Sequence, residues 1–277
     1  MTGFLRWLRS HPPAALSLLF LLVLFVLAVT APVIAPYSPT KQDVNNTLAE
    51  ASWHHLLGTD DLGRDVFSRL IFGAPVTLYA SFLAVVVGCV LGIPVGLLAG
   101  YLGGRIDDAI SRVLDALLSF PAIVLAIGVT GALGVGLTNG MIAVGIVFSP
   151  QLACLMRAQT LVVKQELYVD AVRCFGASLP RIILKHVMPN AIQPVIVQVT
   201  LLLAVALLSE ASLSFLGLGV QPPQPSWGAM LARAYNYMEI APEQMYAPGL
   251  AILFTSLAFN TLGEALRVAM DPTRQRR

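Results

Sequence analysis

The sequence predicts an all-α protein that crosses a membrane several times, on three observations. Only 12% of its 277 residues are charged, against ~25% in an ordinary soluble domain, while 57% are hydrophobic. Mean hydropathy is +0.78. Several uncharged runs exceed the ~20 residues that a bilayer core requires of a helix. Together these exclude a soluble, disordered, collagen-like or coiled-coil chain. The net charge of +2, from 17 basic and 15 acidic residues, gives no basis for nucleic acid as a partner. Cys89, Cys154 and Cys174 are odd in number and lack CxxC spacing, so they read as packing residues and not as a disulfide framework or a zinc site.

A charged side chain at mid-bilayer costs ~2.5 to 3.5 kcal/mol, so the gaps between charges mark the spans. Arg9 to Lys41 encloses a first helix over about 14–31, ended by Pro32 and Pro36. Arg69 to Arg105 encloses a second, over about 76–100. Between Asp115 and Arg157 lie 41 uncharged residues, enough for a third and a fourth if the cluster of Gly131, Gly134, Gly136, Asn139 and Gly140 is the turn between them. Lys185 to Glu210 encloses a fifth, starting after Pro189, and Glu243 to Glu264 a sixth, starting near Pro248. The uncharged stretch from Glu210 to Arg233 is rich in proline and glycine, which would strand backbone groups in lipid, so it is expected outside the bilayer core.

Basic residues in short loops favour the cytoplasmic side. With both termini cytoplasmic, thirteen of the seventeen basic residues fall inside and only Lys41, Arg64, Arg69 and Arg233 outside. The first span also fits a cleaved signal peptide, with Val29, Thr30 and Ala31 as the cleavage site.

Local signals fill in this frame. Thr59, Asp60 and Asp61 offer caps to a helix beginning near Leu62, with Val66, Phe67, Leu70 and Ile71 on one face and Asp65 and Arg69 on the other. That pattern predicts either a helix lying along the outer interface or an amphipathic segment packed on the protein's own loops. Gly88, Gly92, Gly96 and Gly100 recur every fourth residue in the second span, which invites close approach by another helix, and Pro94 adds a kink. Arg105, Asp107, Asp108 and Arg112 read as a solvated turn and helix end, with Asp108 and Arg112 paired. Asp115 stands at the start of the third span, and Pro121 bends that span one turn later.

The long loop at 157–190 carries two short helical patterns, about 165–175 and 180–187, with Gly176 suited to a helix C-terminus and Pro180 to a helix start. Leu167, Ala171 and Cys174 are expected to share an apolar face, opposite Glu166, Asp170 and Arg173. On the second, Ile182 and Ile183 anchor while Arg181, Lys185 and His186 stay polar. Such a pair can form a knob for a partner's groove or fold back on the helix ends. Catalytic chemistry is missing: the sequence has no GxxxxGK[ST], HExxH or GxSxG. The four histidines make no metal-ligand spacing.

At this loop the sequence resembles the permease subunits of ATP-binding-cassette (ABC) importers, whose signature positions fall here on Asp170, Ala171, Val172, Gly176, His186, Met188 and Pro189, with Ala177 also in the implied coupling loop. Asp170 keeps the acid of the leading position, Ala171, Gly176 and Pro189 match, and Val172, His186 and Met188 depart. His186 with Pro189 and Asn190 is similar to the peptide and nickel branch, as are the stretch from Leu57 to Arg69 and the run Glu210, Ala211, Leu213 to Gly217, Gly219, Pro225, Trp227 and Gly228.

The resemblance implies a six-span, type I importer permease, the second of two related permease subunits. Residues 1–74 would hold the N-terminal tail, first span and external loop; residues 75–277 would be the permease core, with a cytoplasmic coupling loop at 157–190 and an external loop at 209–247. It implies no enzyme activity and no bound cofactor or metal. The implied partners are a homologous second permease, two cytoplasmic ATPase subunits that use ATP and Mg, an extracytoplasmic substrate-binding protein, and inner-membrane lipid. Short peptides are the implied substrate, with nickel or a metal chelate as the alternative. The coupling loop would seat on an ATPase, while Glu210, Trp227 and Gly228 would contact the substrate-binding protein or shape the external gate. Gln193, Gln198, Thr200 and Asn260 are polar candidates for the pathway or for helix-helix hydrogen bonds. An ion-driven transporter is a further alternative, but paired intramembrane carboxylates and inverted repeats are not evident.

Overall fold

The computed structural model describes residues 11–270. Arg6 and Arg9, and Arg274, Arg276 and Arg277, which enter the charge-bias argument, lie outside the described residues. Among those described, the secondary structure is helical apart from an isolated bridge between Thr59 and Asp65.

Helix α1 (Pro12–Val29) enters with proline in its first turn, where the missing N–H costs nothing. It packs against α2 (Val66–Leu102) and α10 (Tyr246–Met270). Between α1 and α2, the first connecting loop is held by its own acids. Asp60 Oδ1 accepts from the N–H groups of Leu62 and Arg64, both at 3.0 Å, and Asp65 caps α2 by accepting from Ser68 N–H at 2.7 Å. The helix thus starts at Val66 and not near Leu62, because Asp60 is spent on the loop and Asp65 is the acid placed to cap.

Nor is there a separate interfacial helix. α2 runs unbroken through 37 residues and includes both the amphipathic segment and the expected second span. Arg69, which charge-gap counting takes as a boundary, lies inside it, paired with Asp60 at 3.4 Å and donating to Pro39 O at 2.7 Å. The expected Asp65 and Arg69 face does not form: both are buried, with separate partners.

The glycine stripe of α2 receives α5 (Leu137–Val163). A Cβ on Gly92 or Gly96 would collide with the carbonyl oxygens of Ser149 and Ala153, and one on Gly100 would sit 2.7 Å from Arg157 O. Gly145 of α5 reciprocates, its absent Cβ leaving room for Ala84 O at 2.6 Å. Backbones this close gain dispersion contacts that larger residues would block. Cys89 and Cys154 sit half-buried in this pair, and Cys174 is exposed.

Between α2 and α5 the chain forms α3 (Gly104–Leu118) and α4 (Ala122–Leu133), bent by 96°. The expected third span is therefore broken. α4 has 12 residues, about 18 Å at 1.5 Å per residue, well short of a ~30 Å core. α3 carries Arg105, Asp107, Asp108, Arg112 and Asp115, which keeps it out of hydrocarbon. The break falls at Ser119 to Pro121, since proline disfavours helix in the residue before it. The charged turn is helical, and Asp107 pairs with Arg157 of α5, with Arg157 Nη2 donating at 2.7 Å.

α8 (Gln193–Phe215) and α10 complete the bundle, packing on each other, and α8 also on α2 and α5. Between them, α9 (Trp227–Tyr235) lies in the loop expected outside the core. Among the described residues, five helices are long and apolar enough to span, and the α3–α4 pair forms a sixth, broken element.

Candidate functional site

Three regions carry the side chains that packing alone does not explain. The first is the segment between α5 and α8. Helix α6 (Leu167–Cys174) ends on Gly176, whose φ of +75° suits glycine. Gly176 N–H donates to Arg173 O at 3.0 Å and Ala177 N–H to Val172 O at 3.4 Å, the paired bonds of a Schellman turn. α7 (Leu179–Ile182) follows and runs through a five-residue π-turn, Ile183–Val187, into Met188–Ala191.

The face that holds this segment to the bundle differs from the expected one. Val169 is buried and Val172 and Ala177 pack on the same core, whereas Leu167, Ala171 and Cys174 face out. Ile182, Ile183 and Val187 anchor the second half, as their spacing predicts for the isoleucines. The outward surface is apolar with charged edges: Leu167 is 85% exposed and Phe175 91%, beside Asp170 and Arg173, paired at 3.0 Å. Arg173 also donates to Tyr101 Oη at 3.4 Å, and that bond raises its already high pKa. His186 contributes its carbonyl, accepting from Tyr168 Oη at 3.1 Å and Asn190 Nδ2 at 2.7 Å. Pro189 stands in the closing turn.

A second region opens beside that segment. Gln193 and Gln198 of α8 line a cavity of about 580 Å³ with Gln159, Asn190 and Arg267. Thr200 instead donates to Val197 O at 2.7 Å and packs at Gly263 of α10, a helix-helix role. Asn260 is exposed on α10 and does not line that cavity.

The third region is the opposite, loop end of the bundle, where sequence reading missed most of the architecture. Glu210 is fully buried, accepting at Oε1 from Ser214 and Ser226, each at 2.8 Å. Gly228 closes over it, and a Cβ there would stand 2.6 Å from Glu210 Oε2. Trp227 is buried as well, its backbone N–H donating to Thr77 Oγ1 at 3.0 Å and its indole to Leu70 O at 2.9 Å. Burial removes Glu210, Trp227 and Gly228 from direct contact with a second protein in this structure; they hold the loop's shape instead. The spacing of Glu210 and Ser214, four apart on a helix, is the one local signal of this pairing.

Other bonds cross between the two loops: Arg233 to Asp61 at 3.1 Å, and Gln244 Nε2 to Thr59 O at 2.8 Å. His55 Nδ1 meets Asp65 Oδ1 at 2.9 Å and its ring packs on Tyr37, 4.9 Å between centroids. No group of three or more potential metal ligands occurs among the described residues.

The helical frame matches solved importer permeases. The inward-facing MetNI methionine ABC transporter aligns with a TM-score of 0.60 at 20% identity, covering 73% of this chain and 97% of that one. An amino acid ABC transporter crystallised with histidines aligns at 0.57 and 18% identity, covering 74% and 95%. The fold is thus that of a type I ABC importer permease.

Sequence comparison sharpens this. The family described as binding-protein-dependent transport system inner membrane component matches residues 92–276, and the N-terminal TM domain of oligopeptide transport permease C matches residues 2–51. The glutathione transport system permease protein GsiD of Escherichia coli O6:K15:H31 (strain 536 / UPEC) is 45% identical over 270 residues, 97% of this chain and 89% of the relative. GsiD of Shigella flexneri serotype 5b (strain 8401) is 46% identical over the same shares. The chain belongs to the inner-membrane components of binding-protein-dependent transport systems, as an ABC importer permease of the oligopeptide and dipeptide branch. It is a multi-pass inner-membrane subunit and non-catalytic, as its relatives are, with ATP hydrolysis left to partner ATPases.

Proposed function

We propose that this chain forms half of a pathway for short peptides, glutathione-like tripeptides among them, and transmits ATP-driven motion through the segment between α5 and α8. The observation that carries the reading is the outward surface at Leu167, Asp170, Arg173 and Phe175, apolar and charged together, which among the described residues is tied to the rest of the chain only by the Arg173 bond to Tyr101 and leaves Leu167 and Phe175 in the open. Exposed apolar side chains beside charges, on short helices anchored from behind, suit the groove of a soluble partner. In this reading the segment is cytoplasmic and meets one of two ATPases, both termini are cytoplasmic, and the loop end faces the substrate-binding protein. A second, related permease completes the pathway.

The cavity at Gln193 and Gln198 supports the pathway assignment. With Gln159 they make no side-chain hydrogen bond within the described residues, and unpaired amides facing lipid are costly, so this wall suits a water-filled passage. Peptide backbones offer the donors and acceptors that such amides complement. Peptide rather than nickel is favoured by the GsiD relatives and by a cavity lined with amides and without histidine.

A mild-detergent pull-down of the tagged chain from its native membrane tests the assembly. One second permease and two ATPase subunits carrying phosphate loops are expected per copy of the chain; recovery of the chain alone would contradict the reading. Asp170→Lys and Gly176→Pro, the latter imposing φ near −65° where the chain needs +75°, are expected to abolish uptake while the chain stays in the membrane.

A further inference from the structure

Three guanidinium groups meet two carboxylates at the loop end. Arg64 is 2% exposed and Arg69 4%. The charged groups close enough to act on Arg69 are Arg64, Arg233, Asp60 and Asp61. Asp60 is shared, 2.6 Å from Arg64 and 3.4 Å from Arg69, and Asp61 is taken by Arg233 at 3.1 Å. One positive charge is left without a carboxylate. Arg69 turns its Nη1 to the carbonyls of Pro39 and Pro223, at 2.7 and 3.4 Å, which supply dipoles but no charge. Arg64 donates through Nε to Asp60 Oδ2 at 2.7 Å, but its Nη2, although close to the same carboxylate, has no aligned hydrogen-bond acceptor. Buried guanidinium groups that outnumber their carboxylates, one of them with an unmatched N–H donor, are costly, and such a site favours an anion.

The space for one is present. Arg64, Arg69 and Arg233 line a cavity of about 170 Å³, with Ser214, Gln221 and Gln224 on its wall. That is several times the ~30 Å³ share of one water and admits a carboxylate with the residue that bears it. Arginine forks match carboxylates in two-point geometry. Gln221 donates its amide to Gly217 O and Gly219 O, both at 3.1 Å, which fixes the side chain and leaves its carbonyl free to accept from an N–H. A carboxylate receptor with a hydrogen-bond acceptor beside it fits the end of a peptide better than a bare inorganic anion.

We infer that this cavity is a binding site for the carboxylate of a short peptide, held by Arg64, Arg69 and Arg233 at the entrance to the pathway. The inference rests on the peptide-importer reading, in which the loop end is the side of entry, and adds to it the charge that the substrate must carry.

Saturation-transfer NMR on the purified complex of both permeases and both ATPases, without the substrate-binding protein, tests this with dialanine and its C-terminal amide as probes. The free acid is expected to receive saturation at least about tenfold more strongly than the amide, the preference an arginine-carboxylate pair confers. Arg233→Gln, at the partly exposed edge, is expected to bring the acid down to the amide's level. Arg69→Gln should do the same, and because Arg69 is buried the acid-to-amide ratio of the unaltered complex decides the matter even if that variant fails to assemble. Equal signals from acid and amide in an assembled complex overturn the inference and leave the importer reading intact. If dialanine gives no signal while Arg233→Gln weakens docking of the substrate-binding protein, the carboxylate belongs to that protein and the substrate assignment is overturned. Failure of the complex to co-purify would instead count against the importer reading itself.

Discussion

The two ends of the bundle handle polar and apolar groups in opposite ways. At the loop end, Asp61, Trp227 and Gln244 find partners in other parts of the chain, up to 185 residues away, while Asp60, Asp65 and Glu210 are bonded within their own loops, and most are buried. At the α6–α7 end, Leu167 and Phe175 stand in the open, and the Asp170–Arg173 pair is half exposed. The loop end is therefore a fixed structure, cross-linked from within except at the surplus guanidinium charge of Arg64, Arg69 and Arg233. The other end is held from behind by Val169, Val172, Ile182 and Val187 and keeps its outer face for something else. For a permease worked from the cytoplasm, this division puts rigidity at one end and an unpaired contact surface at the other.

Substitutions can break or sharpen that contrast. The largest effect is expected at neither end but in the packing that joins them. Gly96→Leu drives a side chain into the backbone carbonyl of Ala153, which cannot move aside, so the two helices must separate and the cost exceeds the ~1 to 3 kcal/mol of ordinary overpacking and undoes the α2–α5 contact. The expected outcome is loss of protease-resistant chain from the membrane. Trp227→Ala removes a fully buried indole and its bond to Leu70 O, a change worth about 3 to 5 kcal/mol, so the midpoint of thermal unfolding in detergent should fall clearly. Asp61→Asn weakens one partly exposed pair at the same end and is expected to cost ~0.2 to 1 kcal/mol, a small shift in the same assay. Smallest of all, Leu167→Asp and Phe175→Asp should move stability by no more than about 0.5 kcal/mol, as at other exposed sites. A large loss of stability from either would show that the outer face of α6 is folded onto something within the chain.

Much of this was legible in the sequence where a signal is local. Charge gaps marked five long apolar helices because hydropathy is a local property of each run, though they gave a third span that is broken, and the four-residue glycine spacing announced a close helix contact without naming α5 as its partner. Gly176 announced its own turn. What was hidden depended on distant partners. Arg69 interrupts the hydropathy of α2, and only the pairing with Asp60 and with carbonyls 30 and 154 residues away lets one helix continue through it. Pro121 signalled a bend but not its size, because α3 stays polar and α4 short, so the two halves need not be collinear. On a helix of 8 residues, the Leu167, Ala171, Cys174 stripe and the Val169, Val172 stripe are both plausible seats, and tertiary contact alone chose the second. Glu210 looked like a boundary charge, and its partner Ser226 lies on the far side of a loop no pattern could fold.

The most direct test of the central claim is receptor-stimulated ATP hydrolysis and peptide uptake by the reconstituted complex bearing Leu167→Asp and Phe175→Asp together. The expected result is a chain of unchanged thermal stability whose uptake falls to background and whose ATPase partners no longer respond to the loaded substrate-binding protein. Uptake at the unaltered rate by a stable, fully assembled double variant would contradict it.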